Sequence, residues 1–374
     1  MIKHAIYVAL AFGLAALFLL KTVFALDNII RPYQGARSSA MGGVKLTTGL
    51  YEENFWANPA RVTDNPKSKV QILDFSTETS IGTIKNMSSL IKSFFGSRSE
   101  LLTNLAQTAG KNNHFRMQLT IPGIYIVKEK MSYAFAIQLN TQADIDLRKS
   151  FAVEPDFVTD VGPSFTVGRK FLPDDALSVG LTSHITYRIS SQADFTFIDV
   201  LKGKDIDPLK SGGQGTHLDF DLGSTYKLPW VWKDWNFGTS LAINHILGGK
   251  FKNLGIRPLS LNALPREQPR TLGVGASAQK EEIWKLSNTV VALEFSDIGN
   301  NPNGSFLRWI HIGAETHYGV LATRLGINQG YLTAGLGLNT KAFVMDLSTY
   351  GEEMSLNSGG LEDRRFILRI LFHI

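Results

Sequence analysis

From about residue 69 onward the chain alternates apolar and polar residues with period two, segment after segment. Between Ser178 and Ile189, the residues Val179, Leu181, Ile185, Tyr187 and Ile189 share one parity. Ser178, Gly180, Thr182, His184, Thr186 and Arg188 share the other. Successive side chains of a strand point to opposite faces, so this pattern makes one apolar and one polar face. The same reading holds for Tyr133, Phe135, Ile137 and Leu139 against Ser132, Ala134, Ala136 and Gln138, and for Leu218, Phe220 and Leu222 against His217, Asp219 and Asp221. It recurs around Leu332–Asn339, Phe343–Ser348 and Arg365–Ile374. An antiparallel sheet of a soluble sandwich also alternates. Here, however, the polar parity carries Arg, Asp and His well inside segments longer than ordinary globular strands. A lipid-facing exterior around a polar lumen requires both features. The expected fold is all-β: a transmembrane antiparallel β-barrel.

Fourteen such segments fit the sequence, near 69–78, 114–127, 131–147, 157–170, 176–197, 216–228, 235–246, 271–279, 286–296, 306–317, 320–328, 331–339, 342–350 and 363–374. The number is even, as in bacterial single-chain barrels. With a periplasmic C-terminus, the extracellular connections are those after 78 and near 148–156, 198–215, 247–270, 297–305 and 351–362. They are longer or richer in Gly, Pro and Asn than the opposite set, which includes the compact turns "KEK", "LPDD" and "NTK". Asn328-Gln329-Gly330 is a short exception. Long loops outside and short turns inside are the expected asymmetry.

Residues 1–25 read as a secretory signal peptide: Lys3 and His4, an unbroken run of apolar residues and glycine from Ala5 to Leu20, and Val23-Phe24-Ala25 as a small-residue cleavage pattern. An uncleaved anchor is the alternative, since the run is nearly long enough to span a bilayer. Residues 84–109 break the period-two pattern. Met87, Leu90, Ile91, Phe94 and Phe95 form one helical stripe and Leu101, Leu102, Leu105 and Ala109 a second, separated by Gly96. Ser97 and Glu100 have capping-box spacing. An amphipathic helical pair in the first extracellular loop is expected, either a lid packed on the barrel mouth or an apolar entry site for ligand at Leu90, Ile91, Phe94 and Phe95.

The 374 residues include no cysteine, which excludes disulfides and thiolate metal sites. The formal charge of +5 comes from Lys and Arg scattered singly, which argues against nucleic acid. No catalytic motif is present, neither G-x-S-x-G nor H-E-x-x-H. "GVGASAQ" carries Gly273 and Gly275 but runs into a strand rather than a helix, unlike a dinucleotide loop. His311, Glu315 and His317 share a parity on one strand and read as lumen-facing polar residues rather than a metal site. No enzyme activity, cofactor or metal is expected.

The segment "GARSSAMGGVKLTTGLYEENFWANPARV", Gly35 to Val62, is neither helical nor alternating. Its glycines permit the tight turns needed to thread a chain through a lumen. Asn58-Pro59 initiates a turn, with the residue before proline kept out of the helical region. A fourteen-stranded barrel is wide enough to leak unless filled, so the segment is expected to serve as a plug; entry into the first strand is the plainer reading of Asn-Pro-Ala. Gly35, Ala36, Ser38, Ala40, Met41, Gly42 and Gly43, followed by Asn58, Pro59 and Ala60, resemble the N-terminal region of the FadL-type outer-membrane transporters of hydrophobic compounds and of the related PorV-type barrels. That resemblance implies a hatch over residues 26–68 inside a barrel over 69–374. The C-terminal third is more similar to the PorV-type branch, with Glu315, Arg324, Gly326 and Gly330 in place. The terminal strand, with Phe372 near its end, resembles the assembly signal of Gram-negative outer-membrane barrels, although the last residue is Ile374 rather than Phe.

The function the resemblance implies is passive uptake of small hydrophobic compounds such as fatty acids, by a protein of the Gram-negative outer membrane. The alternative is a PorV-like non-transporting barrel that scaffolds or shuttles secreted proteins. The expected partners are outer-membrane lipids and lipopolysaccharide, the barrel-assembly machinery and a small hydrophobic ligand.

Overall fold

The computed structural model describes residues 31–85, 112–147, 153–192, 212–254, 261, 263–300, 305–355 and 359–374. Fourteen antiparallel strands close into one barrel, each paired to its neighbours in sequence and β1 to β14. They are β1 Lys69–Ser80, β2 Asn112–Val127, β3 Met131–Leu147, β4 Val153–Phe171, β5 Leu177–Gln192, β6 Gly212–Trp232, β7 Trp235–Asn244, β8 Thr271–Ile283, β9 Leu286–Ile298, β10 Ile310–Tyr318, β11 Leu321–Asn328, β12 Tyr331–Asn339, β13 Phe343–Glu353 and β14 Glu362–His373. The closing seam runs from Gln71↔His373 to Ser80↔Arg365, with a register shift between Gln71 and Leu73. Ile374 completes it by exchanging both backbone hydrogen bonds with Val70, at 3.0 and 3.1 Å.

The alternation decides which way each side chain points. Ile185 is 50% exposed and Leu325 67%, on the outer wall, whereas Arg188, Asp221 and Arg324 are buried on the inner one. Turns of two to five residues join the strands at one end, at 128–130, 172–176, 233–234, 284–285, 319–320 and 340–342. The long connections and the two-residue turn at 329–330 all lie at the other end.

Several strand limits differ from the sequence expectation, β4 and β6 beginning four residues earlier, at Val153 and Gly212. Residues 306–309 form a 3-10 helix and β10 begins only at Ile310. The cause is Arg308, which turns inward to donate to the carbonyls of Glu353 and Ser355. β6 and β8 run further than expected, to Trp232 and Ile283, as ribbons paired across tight turns (Trp232↔Trp235, Ile283↔Leu286). The expected signal peptide, and Leu90, Ile91, Phe94 and Phe95 with most of the helical pair, lie outside the described residues; residues 81–85 are helical.

Candidate functional site

The lumen is occupied by residues 31–68, held by charge at some points and by backbone contact at others. Arg31 bonds Asp297 of β9 and Glu352 of β13, each at 2.9 Å. Both acids sit near the barrel end that carries the long connections, so from Arg31 the chain must cross the lumen to reach Lys69. Gly35 precedes a short helix, Ala36–Ala40. Ala36 packs with Tyr350 and Ile367 of the wall. Small residues are required here because the wall is so close. Gly42 and Gly43 have φ of +69° and +91°, which side chains rarely tolerate. A Cβ on Gly42 would stand 2.2 Å from the Ile312 carbonyl oxygen and 2.6 Å from that of Ile327. Hatch backbone therefore lies directly on the backbone of β10 and β11. Thr333 of β12 fastens the same turn, accepting from the Gly42 N–H at 2.9 Å and donating to the Ala40 carbonyl at 2.8 Å. Met41 is fully buried beside Val44, Val290 and Ala292, and Ser38 donates its N–H to Glu53 at 3.1 Å.

Next, the wall supplies a carboxylate. Glu294 of β9, wholly buried, accepts from the N–H groups of Lys45 (2.8 Å), Leu46 (3.0 Å) and Thr47 (2.8 Å) and from the Thr47 hydroxyl (2.8 Å). One side chain thus satisfies three successive backbone donors that would otherwise be orphaned in a buried place.

A line of alternating charges crosses the lumen behind this. Arg37 bonds Glu315 at 2.8 Å, Glu53 at 3.2 Å and the Thr48 carbonyl at 2.9 Å. Arg324 links Glu315 to Asp346, at 2.5 and 2.6 Å. Arg369 joins Asp74 at 2.8 Å to hatch residue Glu52 at 2.6 Å. Burial works against the charge on Arg37, but Glu315 and Glu53 outweigh it and hold its pKa above the ordinary value. Burial raises the Glu53 carboxyl above the usual carboxylate range although Arg37 pulls it down. Charges this deep persist only when paired and hydrogen-bonded, so each cation here has an acid on either side.

The Asn-Pro-Ala tripeptide caps the 3-10 helix Pro59–Asp64. Asn58 is extended, with φ −144° and ψ 105°, and its side-chain oxygen accepts from the Ala60 N–H at 3.1 Å. Its amide nitrogen donates to the carbonyls of Leu46 (3.1 Å) and Ser224 (3.2 Å), tying the two halves of the hatch to β6. Pro59 and Ala60 lie on Gly180 of β5, where a Cβ would come within 2.3 Å of the Pro59 carbonyl carbon. A Cβ on Gly223 of β6 would stand 2.0 Å from the Asn58 side-chain oxygen.

The structure therefore brings Gly35, Ala36, Ser38, Met41, Gly42, Gly43, Asn58, Pro59 and Ala60 together inside the lumen. Of His311, Glu315 and His317, only the last two meet, with His317 Nε2 3.5 Å from Glu315; His311 Nδ1 donates instead to the Gly42 carbonyl (2.8 Å), and Glu315 is also claimed by Arg37 and Arg324. Among the described residues no group of side chains is placed to hold a metal ion. Phe372 is 44% exposed on the outer wall with its ring 5.3 Å from that of Phe343, and Ile374 is exposed at the rim. Sequence reasoning missed Glu294, Arg37, Glu52 and Glu53; the only available signal was Glu294, an acid at inward parity within the apolar run Val290–Phe295 of β9.

No family model matches this chain, and no curated protein does. Among solved structures, a deltaS2S3 mutant of the TodX monoaromatic hydrocarbon channel aligns with a TM-score of 0.50 and 10% identity, over 91% of this chain and 98% of that one. The Ralstonia pickettii toluene transporter TbuX aligns at TM-score 0.49 and 14% identity, over 94% of this chain and 99% of that one. A Pseudomonas aeruginosa FadL homologue gives 0.39 and 10%, over 93% and 98%. What this chain shares with the TodX channel is the fold.

Proposed function

We propose that the protein is an outer-membrane barrel that admits small hydrophobic compounds, fatty acids among them, past the hatch and out through the wall between β1 and β2. One observation carries this reading: an apolar path interrupted by a weak place in the wall. Inside, Phe55 and Val62 of the hatch pack with Tyr125, Ala134 and Ala136 of β2 and β3, flanked by Tyr51 and Trp56. At the same level the β1–β2 ladder pairs Gln71↔Gly123 and resumes only at Asp74↔Thr120. Pro122 lies in the gap and has no N–H to offer. Outside the gap, Ile72 and Ile121 are exposed to the bilayer. Gln71 latches the place from within: it donates to Glu52 of the hatch at 2.7 Å and accepts from the Tyr125 hydroxyl at 3.0 Å. Loosening the hatch therefore also loosens the wall. The fold is shared with a monoaromatic hydrocarbon channel, which supports hydrophobic compounds as the cargo.

On this reading the long connections are extracellular and the signal peptide is cleaved. The stripe of Leu90, Ile91, Phe94 and Phe95 serves as ligand entry, the barrel-assembly machinery inserts the chain, and lipid with lipopolysaccharide surrounds it. The test uses the absence of native cysteine. Ile72→Cys with Ile121→Cys, joined across the gap by a short reducible thiol crosslinker, slows uptake of a labelled fatty acid by cells, and reduction restores it. Unchanged uptake by a fully crosslinked barrel refutes the lateral route. The second reading, a non-transporting scaffold for secreted proteins, draws on the density of ionic contacts pinning the hatch; it predicts that no hydrophobic compound enters through either form.

A further inference from the structure

Three strands bring a serine, a histidine and an aspartate into one hydrogen-bonded line beneath the hatch. Ser164 of β4 lies 2.7 Å, Oγ to Nδ1, from His184 of β5, and His184 Nε2 lies 3.1 Å from the Oδ2 of Asp221 on β6. All three are buried. The direction of the line follows from its ends. The carboxylate of Asp221 only accepts, so His184 carries its proton on Nε2 and presents the Nδ1 lone pair to the Ser164 hydroxyl. Asp221 is itself fixed, since its other oxygen accepts from the His245 N–H at 2.7 Å. Among the described residues His184 is the only histidine with a hydroxyl on one ring nitrogen and a carboxylate on the other.

Two further features single out this line from the other polar contacts of the lumen. Gln138 of β3 accepts from the Trp56 indole N–H at 2.6 Å, which commits its oxygen; its amide nitrogen is buried and has no partner. In the β3–β4 register Gln138 faces Gly162 and Ala136 faces Ser164. The unpartnered donor thus stands diagonally across from the serine, on the same inward face, with a residue lacking a side chain between them. Ala136 belongs to the apolar cluster with Phe55 and Val62, so apolar surface adjoins the hydroxyl. The Trp56 ring lies stacked on His184 at 4.2 Å and covers it.

We propose that the lumen holds a serine-hydrolase centre for carboxylic esters with an apolar acyl group. Ser164 is the nucleophile, His184 the general base and acid, Asp221 the positioning residue and the Gln138 amide the oxyanion donor. The Ser164 oxygen bonds to the ester carbonyl carbon as its proton passes to His184 Nδ1. The carbon–oxygen bond to the alcohol breaks, and His184 returns that proton to the leaving alkoxide. Water, deprotonated by His184, then attacks the acyl-serine, releasing the acid and restoring the Ser164 hydroxyl. Displacement of Trp56 with the hatch opens the site.

The test is covalent labelling of the purified, folded full-length barrel with a fluorophosphonate probe, the modified peptide identified by mass spectrometry and folding checked by heat-modifiable migration. The probe attaches to Ser164, at least tenfold faster in Trp56→Ala, and not at all in Ser164→Ala. Asp221→Asn slows labelling roughly a hundredfold or more, because an amide at that position favours the wrong histidine tautomer, and moves its pH profile downward, because the protonated imidazole loses its neighbouring negative charge. A folded barrel that stays unlabelled at Ser164 both as the native chain and as Trp56→Ala overturns the proposal, as does labelling unchanged in Ser164→Ala. The crosslinked Ile72→Cys/Ile121→Cys barrel is labelled at the same rate as its uncrosslinked form, so a failure of the lateral route leaves this result standing.

Discussion

Glu294→Gln is expected to unlock the hatch without harming the barrel. Each oxygen of the native carboxylate accepts two bonds: Oε2 from the N–H groups of Lys45 and Leu46, and Oε1 from the N–H and hydroxyl of Thr47. A glutamine keeps one accepting oxygen and replaces the other with an NH2 donor. With the amide nitrogen turned to Lys45 and Leu46, two donors lose their acceptor; turned to Thr47, it leaves only the Thr47 N–H facing a donor, because the Thr47 hydroxyl can swing round to accept from it. Hydrogen bonds to a charged group contribute about 1.5–3 kcal/mol each, and the site is fully buried, so water does not replace them. In that better orientation one bond is lost, at a cost of about 1.5–3 kcal/mol. If that loss falls on hatch docking, the ratio of displaced to seated hatch rises roughly tenfold to a hundredfold. The assay is conductance in a planar bilayer, with a barrel lacking residues 35–60 as the fully open reference. The native protein is expected to be nearly silent and Glu294→Gln to show frequent openings towards the reference level. A variant as silent as the native protein beside a conducting reference refutes the claim that this carboxylate holds the hatch. A silent reference refutes the plug itself.

Gly180→Ala places a methyl group where the Pro59 carbonyl carbon lies 2.3 Å away, so it too is expected to raise conductance while heat-modifiable migration stays native. Phe372→Asp puts a charge on the lipid-facing wall beside Phe343, at a cost of roughly 2 kcal/mol or more near the bilayer centre and less towards the interface; reduced recovery of folded barrel from outer-membrane fractions checks it. Phe94→Ser with Phe95→Ser removes two apolar side chains, each contributing about 1.5–3 kcal/mol when buried, and is expected to cut fatty-acid uptake more than tenfold with assembly intact. Loss of assembly in that variant marks the segment as a structural lid.

The strand pattern was legible because it is local. Period two follows from backbone geometry within one segment, so Leu181 and Ile185 on one parity and Thr182 and His184 on the other already separate outer wall from lumen, whatever the partner strands do. The fourteen strands, their closure and the small-residue segment that must lie against a wall all follow from that pattern and from turn chemistry. The 3-10 helix at 306–309 was not legible, because its cause is Arg308 reaching carbonyls more than forty residues away.

Strand register lay beyond the sequence as well. Nothing in the residues around Ser164, His184 or Asp221 marks them as a set, since they lie twenty and thirty-seven positions apart on three strands. Only the pairing of β4 with β5 and of β5 with β6 sets them in line, and a one-residue slip in any of the three strands turns its side chain to the lipid. Glu294 is the same case. Its sequence shows an acid within a short apolar run, Val290–Phe295, but that it receives three backbone N–H groups from residues 45–47 depends on where the hatch turns against β10 and β11. Alternation within a strand is a property of one chain segment; the meeting of side chains across strands is a property of the closed barrel.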